Sequence, residues 1–156
     1  MRIIAHILRH LRRFGLLSPL NYDQQIWGAK ALMDLYQHGS KFYLAESDFG
    51  GTMYTVWQGV HDSKPYAITV DPTGHAVGPT FDDSRVGDCQ VFVYPPKLSC
   101  VQAQQAMVKA GITDAWSFCR LRQSMDFRYN PFYDFAFTAR TAVHVDAVTG
   151  AITSTN

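Results

Sequence analysis

A chain of 156 residues has room for one compact domain or two small fused ones. With 47% apolar and 17% charged residues it can bury a core, which excludes a disordered chain. The net charge is +1, and its placement (seven acids in residues 46–88, six bases in residues 97–140) weighs against a general nucleic-acid binder.

Residues 1–14 pattern as a basic amphipathic helix. Ile3, Ile4, Ile7, Leu8, Leu11 and Phe14 recur at helical spacing opposite Arg2, His6, Arg9, His10, Arg12 and Arg13, and Gly15 offers a stop. This apolar stripe is expected to pack on its own chain or on a second copy, with an anionic membrane surface or another partner as the other covers. Its charges are spread throughout and no long apolar stretch follows, so no export signal is read and the expected location is the cytoplasm. No run approaches the roughly eighteen apolar residues of a membrane-spanning helix.

Ser18-Pro19 and Asn21 supply start signals for a second helix, Tyr22 to about His38, with Tyr22, Ile26, Ala29, Met33 and Tyr36 along one face and Gly39 at its end. Strands are expected at Lys41–Ser47, Thr52–Gly59 and Pro65–Asp71, separated by turns at residues 48–51 and 61–64. Asp71-Pro72-Thr73-Gly74 forms the next turn, before a short strand at about His75–Val77. Residues 78–88, GPTFDDSRVGD, read as a linker, and Cys89–Tyr94 as a strand stopped by Pro95-Pro96. Ser99-x-x-Gln102 is a capping box that opens a helix with Ala103, Ala106, Met107 and Ala110 on its stripe and Gly111 at its end. Further strands are expected at Trp116–Arg122, Asp126–Tyr129, Phe132–Ala139 and Thr141–Asp146.

Val145-Asp146-Ala147-Val148-Thr149-Gly150 closes this last run as Val70-Asp71-Pro72-Thr73-Gly74 closes the earlier one. Each Asp suits a turn, bonding its own backbone, and each Gly suits a positive φ. The match suggests an internal duplication. The expected organisation is an N-terminal helix at 1–17, a first α+β unit at 18–80 and a second at 89–156.

These residues resemble the PepSY-like domains, small α+β modules of the cystatin-like kind. In the second unit the resemblance rests on Leu98-Ser99-x-x-Gln102-Ala103-x-x-Ala106-x-x-x-Ala110-Gly111, Tyr133-Asp134-Phe135 and Val143-His144-Val145-Asp146-Ala147-x-Thr149-Gly150-x-Ile152. In the first it rests on Tyr54-Thr55-Val56 and Ile68-Thr69-Val70-Asp71-Pro72-Thr73-Gly74. It implies a helix laid across a curved antiparallel sheet and a role in binding or inhibiting proteins, as in the propeptides of thermolysin-type metalloproteases. Such relatives are typically exported, so the resemblance implies a periplasmic location.

Chemistry-bearing constellations are weak. Cys119, His144 and Asp146 have the residue types of a small hydrolase, but side chains two apart on one strand do not form a base–orienter bond. His61, Asp62, Asp71 and His75 lack metal-ligand spacing, and the odd set Cys89, Cys100 and Cys119 is a poor zinc site and a poor disulfide framework, so buried free thiols are expected. No cofactor and no metal is expected. Arg120, Arg122, Arg128, Tyr129 and Arg140 interleave bases with an aromatic, the pattern of a nucleic-acid surface, although a solvated sheet face explains them as well.

Protein binding is the expected function, on a sheet face left free by helices on the other side. Val143 and Val145 would face the helices while His144 faces out. The expected contact residues are Phe49, Trp57, Arg120, Arg122, Tyr129, Phe132 and His144, with core filling as the competing role of the aromatics.

Overall fold

The computed structural model describes residues 11, 18, 20–47, 50–125, 129–138 and 141–154. The N-terminal helix expected at 1–14, but for Leu11, lies outside them, as do Phe49, Arg128 and Arg140.

Helix α1 (Tyr22–Tyr36) opens on a capping box in which the Asn21 side chain accepts from the Gln24 amide at 2.9 Å, and the Gln24 side chain accepts from the Asn21 amide at 3.0 Å. Strands β1 (Lys41–Ser47), β2 (Met53–Gln58), β3 (Pro65–Val70) and β4 (Ala76–Phe81) then run as an antiparallel meander. After the short β5 (Cys89–Gln90) comes α2 (Cys100–Lys109), which starts on the expected Ser99/Gln102 box. A second meander follows: β6 (Trp116–Ser124), β7 (Phe132–Phe137), β8 (Val143–Asp146) and β9 (Ile152–Ser154). Antiparallel pairing of β1 with β6, from Leu44↔Arg122 to Ser47↔Cys119, joins the two meanders into one sheet ordered β4-β3-β2-β1-β6-β7-β8-β9, and β5 pairs with the far end of β6.

Both helices lie on the same face of this sheet. Ile26 and Met33 of α1 and Cys100 and Met107 of α2 share one core with inward residues such as Trp57, Ile68, Leu121, Phe135 and Val145. The helices also touch end to end, because the Asp23 carboxylate accepts from the first amides of α2, Cys100 at 2.9 Å and Val101 at 3.3 Å. The chain is thus an α+β protein, with two helices on a large antiparallel sheet among the described residues. Among the described residues no helix is long and apolar enough to cross a membrane.

The two aspartate turns form by the expected bonds. Asp71 Oδ1 accepts from the Thr73 and His75 amides at 2.8 and 2.9 Å, and Asp146 Oδ1 from the Val148 and Thr149 amides at 2.7 and 2.8 Å. Gly74 and Gly150 take φ of 88° and 76°. Other expectations need correction. Residues 78–81 belong to β4, not to a linker, because an edge strand tolerates Pro79 and a register shift opposite accommodates Gly78. A Cβ on Gly78 would stand 2.6 Å from the Ala67 carbonyl oxygen, so the close approach requires glycine. Tyr129 lies in a bend rather than in a strand, and β9, three residues long, was too short to show a period.

Candidate protein-binding face

Strand alternation sends every second residue to the helix-free side, and the register aligns one from each of six strands in a row: Tyr54 on β2, Glu46 on β1, Arg120 on β6, Asp134 on β7, His144 on β8 and Thr153 on β9. Acidic and basic side chains therefore fall side by side across adjacent strands. The Arg120 guanidinium sits on Glu46 Oε1, and His144 Nε2 lies 2.6 Å from Asp134 Oδ1. One row away, Arg122 reaches Asp134 Oδ2 through Nε at 3.2 Å. Burial works against the Arg122 charge, but Asp134 and Asp88 outweigh it and hold the proton more firmly than usual.

Part of this face is covered by the chain itself. Residues 82–90 cross it as a strap, with Val86 and Cys89 packed on Leu44 and Val56. Three polar contacts fasten the strap: the Tyr54 hydroxyl donates to Asp82 Oδ2 at 2.5 Å, Arg85 Nη1 to Glu46 Oε2 at 2.5 Å, and Arg122 Nη1 to Asp88 Oδ2 at 2.5 Å. Arg85 also lies 4.6 Å above the Tyr54 ring. The sheet face expected to be wholly open is thus covered by the strap at β1 and β2; Val77 at the β4 edge stays exposed, and the polar part over β6 to β9 is free.

That free part is concave. A cavity of about 570 Å³ is lined by Arg122, Ser124, Tyr129, Asn130, Phe132 and His144, with Asp146, Ala151 and Thr153 at its β9 side. Its floor is a stacked pair, Phe132 and His144, with ring centroids 5.1 Å apart and planes 22° apart, and Arg122 lies 5.3 Å from the Phe132 centroid. Tyr129 is 57% exposed at the rim. Asn130 Nδ2 donates to Asp146 Oδ2 at 3.0 Å, linking the rim to the closing turn. Burial opposes the Asp146 charge, yet the turn amides and Asn130 keep its carboxyl below the ordinary range.

Four of the seven expected contact residues, Arg122, Tyr129, Phe132 and His144, therefore meet at one place. Arg120 shares their face but is held on Glu46. Trp57 is a correction: it is fully buried beneath the helices, its Nε1 donating to Thr55 Oγ1 at 2.9 Å and its ring 4.7 Å from that of Phe42. Alternation along β2 puts Trp57 with Met53 on the helix side, so it serves the core. Glu46, Asp134 and Asp88 were not foreseen, and Asp134 carried a signal, a lone carboxylate within the strand Phe132–Phe137.

Among the described residues the other chemistries find no assembled site. Cys119 is fully buried on the helix side and His144 lies on the opposite face, so the two are no nucleophile–base pair. Asp62 accepts from the Tyr66 hydroxyl at 2.6 Å and the Lys64 amide at 3.1 Å, which is turn work. No group of three or more His, Cys, Asp or Glu able to hold a metal occurs among the described residues.

Among the described residues, two helices on one side of a long antiparallel sheet, with a partly strapped polar face on the other, define the class of molecule. No family model matches the chain, and no curated protein matches it. Among solved structures the fold is similar to that of a Clostridium difficile 630 protein described as "a putative lipoprotein", with a TM-score of 0.57. The likeness covers 86% of this chain and 93% of that one at 13% identity, so it is a likeness of fold.

Proposed function

We propose that this chain is a non-enzymatic protein-binding module built of two tandem PepSY-like, cystatin-like units, and that it receives its partner in the cavity over β6 to β9. The tandem reading is supported by the repeated order of capping-box helix and four-stranded meander, with an aspartate turn between the third and fourth strands of each, and by both helices lying on one sheet face. One observation carries the binding reading. The helix-free face keeps a cavity of about 570 Å³ floored by the Phe132–His144 stack, within the roughly 300–1,000 Å³ of sites that take a compact group. An aromatic or apolar side chain projecting from a partner suits that floor, while Asn130, Thr153 and the Tyr129 hydroxyl offer hydrogen bonds around it.

The nucleic-acid reading has less support, because Arg120 and Arg122 are already paired with Glu46, Asp134 and Asp88. Inhibition is the form of binding that the PepSY resemblance implies, to be assayed on the partner once purified.

A photo-crosslinking residue at Asn130, compared with one at the helix-side Leu35 (86% exposed), tests the reading. The expected result is a specific protein adduct from position 130 in native cells. The purified partner should then bind the wild-type chain and bind Phe132→Ala at least about tenfold more weakly, the size expected for a central anchor. Adducts only from position 35, or full affinity in Phe132→Ala, would overturn it.

A further inference from the structure

The three cysteines divide between the two faces of the sheet. Cys89 packs with Leu44 and Val56 on the helix-free side. Cys100 and Cys119 are both fully buried on the helix side, with their Sγ atoms 4.0 Å apart. Cys100 is the first residue of α2 and Cys119 sits within β6, opposite Ser47 on one side and Phe135 on the other. The helix end that carries Cys100 is held twice, by its own capping box and by Asp23 of α1. The two sulfurs therefore face each other from elements anchored by other contacts.

We propose that Cys100 and Cys119 form an intramolecular disulfide when the chain folds in the presence of a disulfide oxidant, tying the start of α2 to the middle of the sheet. A bonded pair needs the sulfurs at about 2.0 Å, so side-chain rotation and a small settling of the helix on the sheet must close about 2 Å. Cys89 is excluded by the sheet that lies between it and the pair.

With oxidised glutathione as oxidant, one cysteine thiolate attacks a glutathione sulfur, forms a mixed disulfide and releases one reduced glutathione. The second thiolate then attacks the protein sulfur of that mixed disulfide and releases the other. The two protein thiols give up two electrons and two protons, and the glutathione disulfide becomes two thiols. Complete burial shuts the folded pair off from the oxidant, and it pushes the Cys119 thiol well above its ordinary range. The exchange accordingly precedes the seating of α2, and the folded reduced chain resists oxidation.

The bond would close a loop between residues nineteen positions apart, restricting the unfolded chain. Refolding the full chain with oxidised and reduced glutathione, beside a sample refolded in reductant, provides the test. The oxidised sample should show one titratable thiol in denaturant in place of three and a linked peptide pair holding Cys100 and Cys119. Its Tm should rise by about 5–10 °C, reversibly on reduction. Cys89→Ser should behave the same way with no thiol left, and Cys119→Ser should gain nothing from the oxidant. If Cys119→Ser fails to fold, the peptide map of the wild-type chain decides alone. Three free thiols, a bond to Cys89 or a lowered Tm would each overturn the proposal.

Discussion

At the scale of single residues, Glu46 is the side chain on which the polar face depends. It is 4% exposed, and its two carboxylate oxygens meet two cations of different burial, Arg120 at 31% and Arg85 at 52% side-chain exposure. An exposed ion pair is screened by water, so Arg85→Ala is expected to cost at most about 1 kcal/mol. Glu46→Ala leaves the Arg120 guanidinium half-buried without its carboxylate, and the expected cost is about 3–5 kcal/mol. Urea midpoints of the two variants check this, and equal losses would show that Arg120 finds another partner. None of this was legible beforehand. Alternation did assign Arg120, Arg122 and His144 to their face, since it needs only neighbours on one strand. Glu46 pairs with Arg120 across 74 residues of chain, and a strand buried on both faces offers no alternation to read. Trp57 went astray for a related reason: its strand gave two alternating sets, and which set lay under the helices was decided by tertiary packing.

Among the elements, the strap of residues 82–90 matters most to the candidate site, because it decides how much of the sheet face a partner can reach. Turn-rich composition suggested a linker, and a linker is what such residues form when nothing binds them. Here Asp82, Arg85 and Asp88 each find a polar partner on a different strand, contacts separated by 28 to 39 residues and invisible to local pattern. Asp82 makes the strap sensitive to acid. Its carboxyl is held down at about 2 from 3.8, first by the Ser84 hydroxyl and then by that of Tyr54. A depressed carboxyl lends stability that is complete above its unfolded value and is lost as pH falls through the folded one. Wild type should therefore exceed Asp82→Asn in stability near neutral pH, and the gap should close between pH 3.8 and about 2. Chemical-denaturation midpoints measured for both proteins across that range check the sign. A gap that widens toward acid would show that Asp82 is not bonded as its ion.

For the whole molecule, the question is whether two meanders joined in one sheet behave as one body. Local signals marked both halves, because capping boxes and aspartate turns lie within a few residues of chain. The junction between β1 and β6 had no such signal, since strand pairing at that distance is set by the joint burial of Ala45, Leu121 and their neighbours. Separating the halves would bare the backbone edge of β6 from Cys119 to Arg122, uncover inward Cys119 and Leu121, and take Asp23 away from the amides of α2. Each loss falls on the partner half as well, so neither half can melt without exposing the other's core. The full chain is expected to unfold in one transition, with calorimetric and van't Hoff enthalpies equal. Near-UV signals from Trp27 and Trp57 in the first half, seen in Trp116→Phe, and from Trp116 in the second, seen when both Trp27 and Trp57 are replaced by Phe, should follow coincident curves. Two separated transitions would show that the β1–β6 seam is a docking contact between independently stable units and not the centre of a single fold.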